Sequence, residues 1–117
     1  MENIIFSTQK DIILNENLLL IVVEDECNTM SEFYRLLSTT LHFPNYFHEN
    51  LDSLDEVLCD LNWIPQDTIQ IHFKNIKQFL KRHSKRDDLF ELLANVQNCW
   101  SEDGTKKIVL SRESEVV

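Results

Sequence analysis

FPNYFHENLDSLDEVLCD, running from Phe43 to Asp60, joins an aromatic loop to a helix with two chemically opposite faces. Turning ~100° per residue from Leu51, the apolar residues Leu51, Leu54, Val57, Leu58 and Leu61 occupy an arc of about 120°. Glu49, Asp52, Glu56 and Asp60 fall on the opposite arc. From Glu49 to Asp60 there are five carboxylates, with Asp55 as the fifth, and no Lys or Arg. Like charges four residues apart cost a helix roughly 0.2–0.5 kcal/mol each, so Asp52/Glu56 and Glu56/Asp60 give up stability that alternating charges would keep. Two readings stand on periodicity alone: a solvated face in an acidic protein, or a face shaped for a basic partner. The helix macrodipole accounts for Glu49 and Asp52 near the N-terminus, but not for Asp60 near the other end.

Working outward from this stretch, the chain alternates strand-like and helix-like segments. LLLIVV (Leu18–Val23) is a continuous branched apolar run of strand length, as in a strand buried on both faces of a parallel sheet, and is read as the central strand. Residues 4–14 hold two short apolar clusters around a polar centre, consistent with an added strand or hairpin. Thr29 and Glu32 have the capping-box spacing, and Met30, Phe33, Tyr34, Leu37 and Leu41 follow at helical spacing, which predicts a helix over 30–41 closed by Pro44. Asn50 is a suitable cap for the acidic helix. After the turn region 62–67, TIQIHF (Thr68–Phe73) alternates as a second core strand would. Residues 74–86 read as a short basic amphipathic helix around Ile76, Phe79 and Leu80. A further helix over 87–100 buries Leu89, Leu92, Leu93, Val96 and Trp100, and Lys107–Ser111 is the last strand. Strands separated by helices imply crossovers, hence an α/β fold with a small, mainly parallel three-stranded sheet and about four helices. Residues 112–117 read as a loose tail, and the whole chain as one domain with a core over about 18–112.

Composition narrows the function classes. With 117 residues, 43% hydrophobic and 26% charged, the chain is globular rather than disordered. Its net charge of −9 opposes binding to nucleic acid and favours a cationic protein as partner. The charge is uneven: residues 1–63 hold twelve acids and two bases, a net −10, while residues 64–117 hold eight acids and nine bases, a net +1. Cys27, Cys59 and Cys99 are odd in number and widely spaced, which indicates neither a disulfide framework nor a zinc site and fits a reducing cytoplasm. Residues 1–10 lack the pattern of a secretory signal, and Leu18–Val23 is too short to span a membrane. His42, His48, His72 and His83 have no metal-ligand spacing, and no nucleophile motif or glycine-rich phosphate loop occurs, so no metal, cofactor or catalytic residue is expected. The basic run 74–86 does not interleave with stacking aromatics and reads as solvated.

The order of elements, with the acidic motif where it stands, resembles the barstar family of intracellular inhibitors of the ribonuclease barnase. The matching pieces are FPNYFHENLDSLDEVL, against a family pattern close to P-x-Y-[YF]-G-x-N-L-D-x-L-x-[DE]-x-L, then Trp63, Ile64-Pro65 before a strand, and the terminal IVLS strand. The resemblance covers roughly residues 18–112. It implies that the loop and the N-terminal half of the acidic helix plug a ribonuclease active site, one to one, by a chain that is monomeric when free. Tyr46 and Phe47 would make aromatic contacts, and Asp52 and Glu56 would meet active-site cations in place of substrate phosphates. Asn50 would be mainly the helix cap, Trp63 a peripheral contact and Asp87 an outlying acidic one. His48, Glu49 and Asp55 complete the implied surface. Two of these depart from the family: His48 replaces a Gly whose backbone suggests positive φ, and Asp55 stands where Trp is frequent, so the partner need not be barnase itself. His48 would also lend binding a pH sensitivity. The resulting expectation is a non-enzymatic immunity protein against a bacterial toxin or extracellular ribonuclease. The alternative is an acidic regulatory module for another basic protein, and a carboxylate enzyme ranks last because an exposed helix face offers no cleft to shift a pKa.

Overall fold

A computed structural model of the chain describes residues 6–7, 17–103 and 106–113. Strands β1 (Phe6–Ser7), β2 (Leu18–Val23), β3 (Thr68–Phe73) and β4 (Lys107–Arg112) form one sheet in the order β1-β4-β3-β2. All pairings are parallel, with Leu18, Thr68 and Lys107 in register at one end and Val23, Phe73 and Arg112 at the other. Parallel neighbours need long crossovers. Helices α1 (Met30–Thr40) and α2 (Leu51–Leu58) lie between β2 and β3, and α3 (Arg86–Asp103) lies between β3 and β4. The three full strands match the expected α/β sheet, and the two-residue β1 extends it from the N-terminal segment. The rest of that segment, 1–5 and 8–16, lies outside the described residues, as do 114–117. Of the residues read as a tail, Arg112 ends β4 and the Glu113 N–H donates to Phe73 O, so these two belong to the end of the sheet.

The helices seat their apolar faces on Ile21, Ile69, Ile71, Phe73 and Leu110, all at most 1% exposed. Phe33 of α1, Phe90 of α3, Phe79 and Phe73 form the centre of this core, with ring centroids 5.1–6.4 Å apart. The capping box at the start of α1 is present: Thr29 Oγ1 accepts from the Glu32 N–H, and Glu32 Oε1 accepts from the Asn28 N–H. At the other end His42 takes φ 52° and the Phe43 N–H returns to Ser38 O, a Schellman closure that turns the chain into the aromatic loop.

Two expectations are corrected. LLLIVV is not the central strand but an edge: Leu20 is 39% exposed, and β3 holds the centre with five of its six residues buried. The apolar run does not reveal this because the polar residues of β3 are buried too. Gln70 Nε2 donates to Ser111 Oγ at 2.8 Å, and Ser111 Oγ lies 2.7 Å from His72 Nδ1. The Ser111 hydroxyl is shared by the two side chains, and His72 Nε2 lies 3.3 Å from Glu113 Oε1. Partners on the neighbouring strand thus let two polar side chains occupy positions that alternation assigns to solvent.

The second correction is the basic segment, which leaves three helices among the described residues instead of about four. Residues 74–85 form successive turns, with Gln78 N–H to Asn75 O, Lys81 N–H to Gln78 O and His83 N–H to Leu80 O. Leu80 stands at φ 51° with its N–H held by Asn28 Oδ1 at 2.7 Å, a geometry no α-helix can carry. Arg86 fixes the segment from the other side: Nε donates to Phe79 O, a terminal guanidinium nitrogen donates to Ile76 O, and the guanidinium sits 5.0 Å from the Phe90 ring centroid. Phe79 and Leu80, which suggested a helix face, are buried as plugs.

Replacing Ser111 by alanine would leave Gln70 Nε2 and His72 Nδ1 without their shared partner inside the sheet. The expected cost is about 1–3 kcal/mol, enough to lower the melting temperature by roughly 5 °C or more. A thermal unfolding curve superimposable on the parent's would show that the hydroxyl is dispensable.

Candidate protein-binding site

The loop 42–50 and α2 are built as one rigid piece. Asn50 is extended at φ −153° and its Oδ1 accepts from the Ser53 N–H at 2.8 Å, while Ser53 Oγ accepts from the His48 N–H at 2.9 Å. The side chains of Asn50 and Ser53 therefore bind the loop to the first turn of the helix. Leu54, Val57 and Leu58 are fully buried, and the Trp100 indole N–H donates to Leu58 O at 2.8 Å, which pins the far end of α2 to α3. Because that face is committed to the core, Asp52, Asp55 and Glu56 are held outward and exposed. No described Lys or Arg forms an ion pair with any of them.

Aromatic residues set the loop. Phe47 is half-buried, edge-on to Phe43 at 4.8 Å and to Tyr34 at 6.0 Å, so much of its ring supports the loop. Tyr46 is 47% exposed and its hydroxyl donates to Asp60 Oδ2 at 3.2 Å. Desolvation, that hydrogen bond, and the charges of Asp60 and Glu56 push the phenol above the ordinary tyrosine range. Glu49 accepts from Ser31 Oγ at the start of α1, and its charge adds to burial in raising the Tyr34 hydroxyl. Trp63 is half-buried with its indole N–H on Leu41 O at 2.7 Å.

The structure thus brings Tyr46, Phe47, His48, Glu49, Asn50, Asp52, Asp55 and Glu56 onto one continuous loop and helix, with Trp63 anchored beside it on the end of α1. Asp87 stands elsewhere, exposed in the first turn of α3, with no hydrogen bond or ion pair to this surface. His48 is exposed and does not take positive φ; among the described residues the non-glycine residues that do are His42, Leu61 and Leu80, so the loop accepts a β-carbon at 48 without that penalty. Sequence reasoning left Asp60 out of the site although it shares the acidic arc, and its link to Tyr46 adds it. Ser53 and Ser31 carry no periodic signal and emerge only from the folded loop.

Among the described residues no cluster of His, Cys, Asp or Glu is placed to hold a metal ion. No described helix is long and apolar enough to cross a membrane.

Fold and surface define a class: a small parallel α/β protein presenting a capped, acidic helix and its aromatic loop as one preformed unit. Compared with known families, the chain matches the family described as Barstar (barnase inhibitor) over residues 19–112. That is most of its length, and the chain belongs to the barstar family, whose members inhibit a ribonuclease and are not enzymes. A search of curated proteins gave no match.

Proposed function

We propose that this protein is an immunity protein that inhibits a cytotoxic ribonuclease one to one in a bacterial cytoplasm. The observation that carries the reading is the outward face of α2: Asp52, Asp55 and Glu56 are exposed without a described cationic partner, on a helix whose other face is fully buried. Such carboxylates are ready to exchange water for Arg, Lys and His of a ribonuclease site that otherwise holds phosphates. Asp52 and Glu56, four residues apart, lie on neighbouring turns of one face, so a single cationic cleft can engage both. Tyr46 adds an exposed ring at the edge. The preformed loop lowers the ordering cost of docking. Occlusion needs no bond to be made or broken, which fits a surface without nucleophile or cleft. Asp55 adds a charge where relatives often carry Trp, and this favours a partner ribonuclease with a cation at that point over barnase itself.

Titrating the purified chain into a toxin ribonuclease from the same genome is expected to abolish RNA cleavage at one equivalent. Full cleavage at several equivalents would defeat the reading. Stopped-flow association tests the electrostatics: the Debye length falls from about 10 Å at 0.1 M salt to about 3 Å at 1 M, so the on-rate should drop sharply while dissociation changes less. An on-rate flat across that range would mean that the acidic helix does not guide encounter.

A further inference from the structure

The seam between α2 and α3 carries two thiols that the binding surface does not use. Cys59 caps the C-terminal end of α2, its N–H on Asp55 O, and is half-buried; Cys99 is exposed on α3. Their neighbours in sequence are already joined, because the Trp100 indole donates to Leu58 O at 2.8 Å. The helices therefore meet at the level of the two cysteines. The Cys59 thiol donates to Asp55 Oδ1 at 3.9 Å and also lies within side-chain hydrogen-bonding reach of the Cys99 sulfur.

We propose that Cys59 and Cys99 form a reversible intramolecular disulfide that ties the C-terminal end of the acidic helix to α3. The inference stands on the seam alone and does not depend on the proposed function. Cys27, in the loop after β2, is not part of it.

The order of events follows from the two environments. Burial first, then the Cys99 sulfur and the Asp55 carboxylate, push the Cys59 thiol up to about 12, so Cys59 stays protonated while the exposed Cys99 meets reagents. With a small-molecule disulfide as oxidant, the Cys99 thiolate attacks one of its sulfurs. The reagent's S–S bond breaks, one thiolate leaves and takes up the Cys99 proton, and a mixed disulfide remains on Cys99. The Cys59 sulfur, passing its proton to solvent beside Asp55, then attacks Cys99 Sγ and expels the second thiolate, which that proton neutralises. Two protein thiols are oxidised and one reagent disulfide is reduced to two thiols. The bond closes a loop of about forty residues, which restrains the unfolded chain.

Equilibrating the full chain with mixtures of oxidised and reduced glutathione, quenching with acid, and measuring intact mass and a peptide map tests this. The expected product has lost two hydrogens, carries no glutathione, links the Cys59 and Cys99 peptides, leaves only Cys27 free, and melts several degrees higher until dithiothreitol is added. Cys59→Ser should stop at a glutathione adduct on exposed Cys99, and Cys99→Ser should leave Cys59 unmodified. A stable adduct on Cys99 of the parent chain with Cys59 still free, or bonds only between copies, would overturn the proposal.

Discussion

Glu56→Ala and Asp52→Ala are each expected to weaken the complex with the partner ribonuclease by about 2–5 kcal/mol, roughly thirty- to several-thousand-fold in Kd. The size follows from position. Both carboxylates sit on the helix face that a docked cleft would desolvate, and truncating one leaves the partner's cation buried and unpaired. Glu26→Ala is the control, an exposed acid in the loop after β2, where a wet contact is worth about 0–1 kcal/mol. Stability should move the other way. Asp52 and Glu56 repel each other at i,i+4, so removing either should leave the fold unchanged or firmer by a few tenths of a kcal/mol. Calorimetric titration beside thermal unfolding reads both quantities, and equal small binding losses at all three sites would reduce the acidic face to a solvated one.

The largest expected effect on folding belongs to Phe73→Ala. Phe73 ends the central strand, is fully buried, and touches the rings of Phe33, Phe79 and Phe90, so it joins α1, the basic turn segment and α3 to the sheet. Removing a buried phenylalanine costs about 3–5 kcal/mol through lost transfer energy and the cavity left behind. Domains of this size are stable by only about 5–15 kcal/mol, so much of the total would go. Leu20→Ala on the edge strand should cost about 1 kcal/mol or less, because Leu20 keeps 39% of its surface in water already. Urea unfolding midpoints compare the two, and a Phe73 loss no greater than that of Leu20 would place the core's weight elsewhere.

What was legible in the sequence was local. The capping box at Thr29 and Glu32, the Asn50 cap and the apolar stripe of α2 all act within one or two turns, and β2, β3, β4 and α1 stand within a residue of their expected bounds, while α3 runs three residues further to Asp103. The acidic face was legible for the same reason. Sheet order was not, since a strand's place depends on what its neighbours offer: Gln70 and His72 look half-exposed until Ser111, some forty residues away, supplies a hydroxyl. The basic segment misled in the same manner. Its helical spacing is real, but Asn28, 52 residues upstream, captures the Leu80 N–H and Arg86 takes two carbonyls, and these long-range bonds outweigh propensity. In the site, Tyr46 with Asp60 and Ser31 with Glu49 required the loop to fold back before they could meet.

The parallel order β1-β4-β3-β2 sets a timetable for biosynthesis. Strand β4 is the last of the four to leave the ribosome, yet it fills the slot between β1 and β3 and supplies Ser111 to both Gln70 and His72. Until residues 107–112 emerge, the acidic helix has been translated but the sheet beneath it has a gap at its centre. Nascent chains stalled before β4 would therefore present the carboxylates of α2 on an unfinished support, and the sheet closes in one step when that strand takes its place.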